Sequence, residues 1–298
     1  MEIKKLDEEK CKNLRDLFIE WHERQEEDAE VLCREVNNLY EREQSCPSNR
    51  RLNKLLRSSG VPSCFSRFMG DVPEIKMWES VLKNAFNMDG GKKKFEIRQG
   101  GYKYIFLFKE ANDSEKKETS NYPNFEIELR NGNVNPWIYN WPDRKYRSGI
   151  SRKLPEVFEK YSGISVLEEQ DGFLNYAGYM NVNKRGGESR ADERAILNYA
   201  KYYKNYILRE IELLGENQKQ IKIFVCGGKY YFDNLIRNLG LISDDSKKTN
   251  AKYCFINITH PSAPISYKEL VEEMKAEKPF NAKLKKGKPV YVSEFKYD

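Results

Sequence analysis

Four short apolar segments separated by stretches of helical periodicity predict an α/β protein. The expected fold is a three-layer α/β/α sandwich on a central four-stranded parallel sheet, with a helical amino-terminal region. Three observations carry this. Residues 102–108, 173–182, 221–226 and 252–259 are nearly continuous runs rich in aromatic and β-branched residues, the pattern of strands buried on both faces. Amphipathic segments over 154–161, 189–214 and 231–239 lie between them and supply the right-handed crossovers a parallel sheet needs. Each apolar run also stops in a polar cluster: Lys109 to Asp113, Asn181 to Lys184, Gly227 to Lys229 and His260 to Ser262. Parallel pairing gathers those four clusters at one edge, where open α/β sheets bind ligands.

Residues 1 to about 45 are helical by pattern, with Leu14, Leu17, Phe18, Trp21, Val31, Leu32, Val36, Leu39 and Tyr40 at helical spacing and charges between them. One interrupted helix or two amphipathic helices fit. A turn at 45–50 leads to the basic stretch 50–57, a short helix with one cationic face that is either solvated or in contact with phosphate. Trp78, Val81, Leu82, Ala85 and Phe86 predict a further helix, ended at Asp89-Gly90-Gly91. The character then changes, so residues 1–92 are read as a helical amino-terminal region and 93–298 as the α/β domain. Residues 114–150 have little periodicity but many aromatics, with Arg144, Lys145, Arg147, Arg152 and Lys153 alongside. That mixture suits base stacking and phosphate contact, and equally a loop folded over the core.

Beyond the second strand, read as ending in Asn183-Lys-Arg-Gly-Gly187, Ser189 and Asp192 resemble a capping box. They open a helix with Ile196, Tyr203, Ile207, Ile211 and Leu214 on one face, closed by Gly215. Gly227-Gly228-Lys229 lacks the spacing of a phosphate-binding loop and is read as a tight strand-to-helix turn. Residues 267–276 form the last helix, and 290–295 are a candidate edge strand.

Composition narrows the function classes. Charged residues make up 33% of the 298 and hydrophobic ones 39%, and no apolar run approaches a membrane span. With no signal-peptide core at the amino terminus, a cytosolic protein is expected. The six cysteines have no C-x-x-C spacing, so no metal, cluster or other cofactor is expected. A net charge of +6 permits an anionic partner without demanding one. The sequence leaves the oligomeric state open.

His260 is one of two histidines; the other, His22, stands among Glu and Arg and reads as solvated. His260 sits where a strand is stopped by Pro261, so it is either a turn-packing residue or part of a site. Four converging polar strand ends favour a site.

In this arrangement residues 102–270 resemble the uracil-DNA glycosylase superfamily. His260-Pro261-Ser262, with the following Ala-Pro-Ile-Ser-Tyr, is similar to the family's closing motif, whose His donates to the uracil O2. Asn181 falls where the family's base-reading Asn stands, with Asn183 as the second choice. The family's first motif, Gly-x-Asp-Pro or Gly-x-Asn-Pro, is replaced here by Lys109-Glu110-Ala111-Asn112-Asp113, which has neither Gly nor Pro. The resemblance implies a water-orienting carboxylate at Glu110, with Asp113 and Asn112 as alternatives. It also implies an aromatic stacking on the flipped base, for which Phe125 is the first choice and Tyr122 and Trp137 compete. The loop with Pro261, Ser262 and Pro264 would press on DNA, with Arg144 and Arg147 on its phosphates. The expected activity is removal of uracil or a related deaminated base from DNA. Two other readings stay open: a nucleic-acid-binding protein that kept the fold without the chemistry, and an α/β enzyme acting on free nucleosides or nucleotides.

Overall fold

A computed structural model describes residues 2–43, 49–61, 100–112, 149–167, 172–187, 191–243, 250–275 and 287–297. The predicted helix over 78–86 and most of the aromatic segment 114–150 lie outside them.

Two helices come first, α1 (Leu14–Glu43) and α2 (Asn49–Ser58). The α/β part follows as β1 (Tyr104–Asn112), α3 (Gly149–Ser162), α4 (Gly172–Tyr176), β2 (Ala177–Gly187), α5 (Glu193–Tyr202) and α6 (Lys204–Leu214). It continues with β3 (Ile221–Cys226), α7 (Lys229–Asn238), β4 (Tyr253–Ile258), α8 (Tyr267–Lys275) and β5 (Val290–Val292). The sheet order is β2-β1-β3-β4-β5. The first four strands pair in parallel, and β5 pairs antiparallel to β4. The α/β class therefore holds, but the sheet has five strands rather than four. The added strand is the tail segment read as a candidate edge, and it covers the backbone groups that β4 would otherwise expose.

Strand alternation divides the apolar residues between two cores. On the first face, Ile105 and Leu107 of β1 pack with Ile223, Val225 and Phe255, beneath α1, α5, α6 and α7. On the second face, Phe106 and Phe108 pack with Tyr179, Phe224, Cys226, Ile256 and Ile258, beneath α3, α4 and α8. The first half of α1 belongs to the first core, through Leu14, Leu17, Phe18 and Trp21. Its second half makes a smaller cluster with α2, joining Ala29, Leu32 and Val36 to Leu52, Leu56 and Val61.

Several elements differ in extent from their sequence patterns. α1 is one uninterrupted helix. The apolar residues 173–176, read as strand, are the helical turn α4, because a short apolar run does not distinguish the two. β1 and β2 run on through their polar ends, since backbone pairing does not depend on side-chain polarity. The segment 193–214 is two helices with a break at Tyr203, and Asp192 is itself the cap, accepting from Ala195 N at 3.4 Å. His22, read as solvated, is buried, with Nδ1 3.9 Å from Glu26. The helix rotation that buries Trp21 carries it inward.

Two glycines are required by close approach. A Cβ at Gly60 (φ +73°) would lie 2.9 Å from the Tyr199 backbone, so Gly60 lets the end of α2 lie against α5. A Cβ at Gly227 would lie 2.5 Å from the Tyr231 ring, and Gly227 N, in the turn between β3 and α7, donates to Ile258 O at the end of β4 at 2.9 Å. Among the described residues, no helix is long and apolar enough to cross a membrane.

Candidate functional site

The strand order reverses direction between β1 and β3: β1 connects to β2 on one side and β3 to β4 on the other. The carboxyl ends of β1 and β3 thus flank a topological switch point, where α/β sheets place ligands. This edge is stepped. β3 stops at Cys226, one residue past the level of Leu107, while β1 continues to Asn112 and β2 to Gly187. The step leaves a notch above β3, and His260 reaches into it from β4.

The His260 loop is held from two sides. Thr259, between the end of β4 and His260, donates to Glu273 of α8 twice: N to Oε2 at 2.6 Å and Oγ1 to Oε1 at 3.1 Å. His260 O accepts from Ala263 N at 2.9 Å, closing a tight turn. On the other flank Lys153 Nζ of α3 donates to Ala263 O at 3.1 Å and Ile265 O at 2.9 Å. Pro261 is buried, whereas Ser262 and Pro264 are exposed.

The His260 ring stands edge-on to Phe108 of β1, with centroids 5.5 Å apart and planes at 80°. Phe108 in turn stacks on Tyr179 of β2 at 4.5 Å. Nδ1 accepts from Ser262 N at 3.3 Å and lies 2.6 Å from Ser262 Oγ. Burial, with the Lys109 charge adding to it, pushes the imidazole pKa down to about 4. The ring is therefore neutral at pH 7. Because Nδ1 accepts, the proton sits on Nε2, which is left as a hydrogen-bond donor.

Asn181 is opposite Phe108 in the β1–β2 register and is buried. Its backbone oxygen accepts from Lys184 Nζ at 2.8 Å. Asn183, opposite Glu110, is also buried, and its side-chain Oδ1 accepts from Arg185 N at 3.1 Å. That bond lies where the register shifts between Glu110 and Asn112. Glu110 and Asn112 stand on the last part of β1, with Asn112 opposite Gly187. The structure thus brings His260, Asn181, Asn183, Glu110 and Asn112 to one edge. Asp113, Phe125, Arg144 and Arg147 lie outside the described residues.

Sequence reasoning missed Glu273, gave Lys109 and Lys184 no role beyond a polar strand end, and placed Lys153 among the phosphate-contact cations, whereas it holds the His260 loop. Lys109 is ion-paired to Glu193 and lies over the Tyr231 ring at 4.9 Å. Lys153 and Glu273 are ordinary charged residues of amphipathic helices, and Lys153 acts on a loop 110 residues away. Nothing local to either residue marks the role. Lys184 had one visible signal, a cation directly after an apolar strand. Among the described residues, no group of three or more His, Cys, Asp or Glu side chains is placed to hold a metal ion.

Chemically, this edge offers a neutral N–H donor, an aromatic wall and buried amides. Such a set can recognise a planar polar edge and hold negative charge as it develops on a carbonyl oxygen. Compared with known proteins, the chain matches no family model, no curated protein and no solved structure.

Proposed function

We propose that the protein is a cytosolic DNA base glycosylase that hydrolyses the N-glycosidic bond of uracil or a related deaminated base. The observation that supports this most is His260, neutral with its proton on Nε2, in the notch beside Phe108 and one strand from Asn181. In the reaction the C1′–N bond breaks and its electron pair leaves with the base. The charge comes to rest on the base carbonyl oxygen, where Nε2–H donates without transferring a proton. Water, oriented by Glu110 in the last part of β1 or by Asp113, adds to C1′ and passes its proton to that carboxylate, leaving an abasic site. Asn181 reads the base edge, since one amide pairs with both a carbonyl and an N–H. Phe125 stacks on the extruded base, and the exposed Ser262 and Pro264 press on the strand from which it came, while Pro261, being buried, shapes the loop and does not touch DNA.

A labelled oligonucleotide with one uracil, incubated with the protein and then treated with alkali, tests this. Strand breakage is expected. Intact strands with uracil and with other deaminated bases would contradict the reading. A second reading, a DNA-binding protein without chemistry, is favoured by one observation: residues 109–113 have neither the Gly nor the Pro of the family's first motif. Tight DNA binding with no base release would select it.

A further inference from the structure

We propose that the cationic stripe of α2 is a contact surface for the DNA phosphate backbone, continuous with the carboxyl edge that holds His260. The inference rests on the glycosylase reading for where the DNA lies.

α2 contains four cations, Arg50, Arg51, Lys54 and Arg57, and no acidic residue. Burial of Leu52 and Leu56 fixes its rotation, so Arg50, Arg51 and Lys54 face outward. Arg50, Lys54 and Arg57 fall at i, i+4 and i+7, one stripe about 10 Å long at 1.5 Å per residue. A merely solvated helix face mixes both signs, as the exposed residues Glu23, Glu27, Glu30, Arg34 and Glu35 of α1 do. α2 itself carries no acidic residue.

The stripe is anchored toward the site. Arg57 Nε donates to Asp192 Oδ2 at 2.7 Å, and Asp192 caps α5. The next residue, Glu193, takes Lys109 at the end of β1. Asn198 Nδ2 donates to Arg57 O at 2.8 Å and Tyr202 OH to Ser58 O at 3.0 Å, so the carboxyl end of α2 cannot roll on α5. Ion pairs therefore step from the stripe to the strand that carries Phe108 and Glu110. With Arg57 engaged by Asp192, the exposed Arg50 and Lys54, rigidly joined through it to that edge, complement two successive phosphates of a strand whose target base sits in the notch.

The test is binding of a 20-bp duplex, with and without one uracil, followed by fluorescence anisotropy across a salt series. Each lost phosphate contact lowers the slope of log K against log salt by about 0.9. Arg50→Gln with Lys54→Gln should lower it by about 2 and weaken both duplexes equally. Lys219→Gln with Arg237→Gln, the same charge loss at the opposite edge of the sheet, should leave the slope unchanged. An unchanged slope in the α2 variant, an equal drop in the control, or salt-sensitive binding to RNA alone would overturn the proposal. If the α2 slope changes as expected but wild type excises no uracil, the glycosylase reading fails while this surface stands as a DNA contact.

Discussion

The two faces of the sheet are built differently. The second is sealed mainly by apolar contact, with the buried Glu273 of α8 bonded to Thr259 at its edge: Phe158 of α3 meets Tyr104, Phe106 and Phe173 at 5.3, 6.4 and 5.4 Å between ring centroids. The first carries buried charge. Lys184 pairs with Glu210 of α6 at 2.7 Å with neither side chain exposed, and its ammonium lies 5.0 Å from the Trp21 ring centroid. Arg185 lies over Tyr199 and Tyr203, and its Nη1 donates to Gly60 O at 3.4 Å. Burial holds the Tyr199 and Tyr203 phenols well above their usual pKa, so they stay protonated and donate, Tyr199 to Gln25 at 2.5 Å and Tyr203 to Asp28. Asp28 also pairs with Lys4 at 2.5 Å.

The difference has a consequence for the site. Lys184 and Arg185 belong to the end of β2, one to four residues past Asn181 and Asn183. The groups that hold them come from α1, α5, α6, Tyr203 and Gly60 just past α2. The amino-terminal helices thus share in fixing the strand end that presents the candidate base-reading amide. The apolar face, by contrast, leaves Phe108 and His260 to form the wall of the notch.

The largest effect that sharpens this contrast is at the buried pair. Lys184→Met leaves Glu210 buried without its cation and should cost about 3–5 kcal/mol. Adding Glu210→Leu should recover most of it, because two apolar groups need no partner there. Urea midpoints of the single and double variants check this, and a double variant no better than the single would refute it.

A smaller loss is expected at the join between β4 and α8. Thr259→Val removes one of the two hydrogen bonds to Glu273, for about 1–3 kcal/mol, and loosens the base of the His260 loop. If excision were lost while the unfolding midpoint held, the residue would act in the chemistry rather than in positioning.

The pH dependence is subtler. The folded pKa of His260 is about 4 against an ordinary 6.5, so the unfolded chain takes up the proton first as pH falls. The neutral ring adds stability that is complete above about pH 6.5 and is lost as pH drops toward 4. His260→Gln should flatten the unfolding midpoint across that window, and an unaltered pH profile would show that the ring is not held neutral. With two histidines in the chain, ¹⁵N NMR of wild type and a His22→Gln variant assigns the tautomer. The smallest change is Ser262→Ala. It removes the hydroxyl on Nδ1 but keeps the backbone N–H, so the Nε2 proton should stay in place. A switch to the Nδ1–H form would assign the tautomer to the hydroxyl instead.

What was legible in the sequence follows from which forces are local. The apolar run 221–226 and the Gly-Gly turn after it are local signals, and they predict the strand to the residue. His260 stands out because Pro261 stops the strand, which is also local. The fold's polar interior was not legible. Lys184 and Arg185 read as a polar strand end, and His22 as solvated, because charge beside charge in sequence resembles surface. Only the packing of α1 on the sheet reveals that they are buried. Likewise the grips of Glu273 and Lys153 on the loop join residues 14 and 110 positions apart, with no pattern to announce them.

The most direct measurement is single-turnover release of uracil from a DNA oligonucleotide by wild type and His260→Ala, with DNA affinity measured alongside. Loss of the Nε2 donor should slow release by about 100- to 1000-fold while affinity stays close to wild type. Equal release rates in the two proteins, or no release by wild type, would contradict the placement of a glycosylase site at this edge.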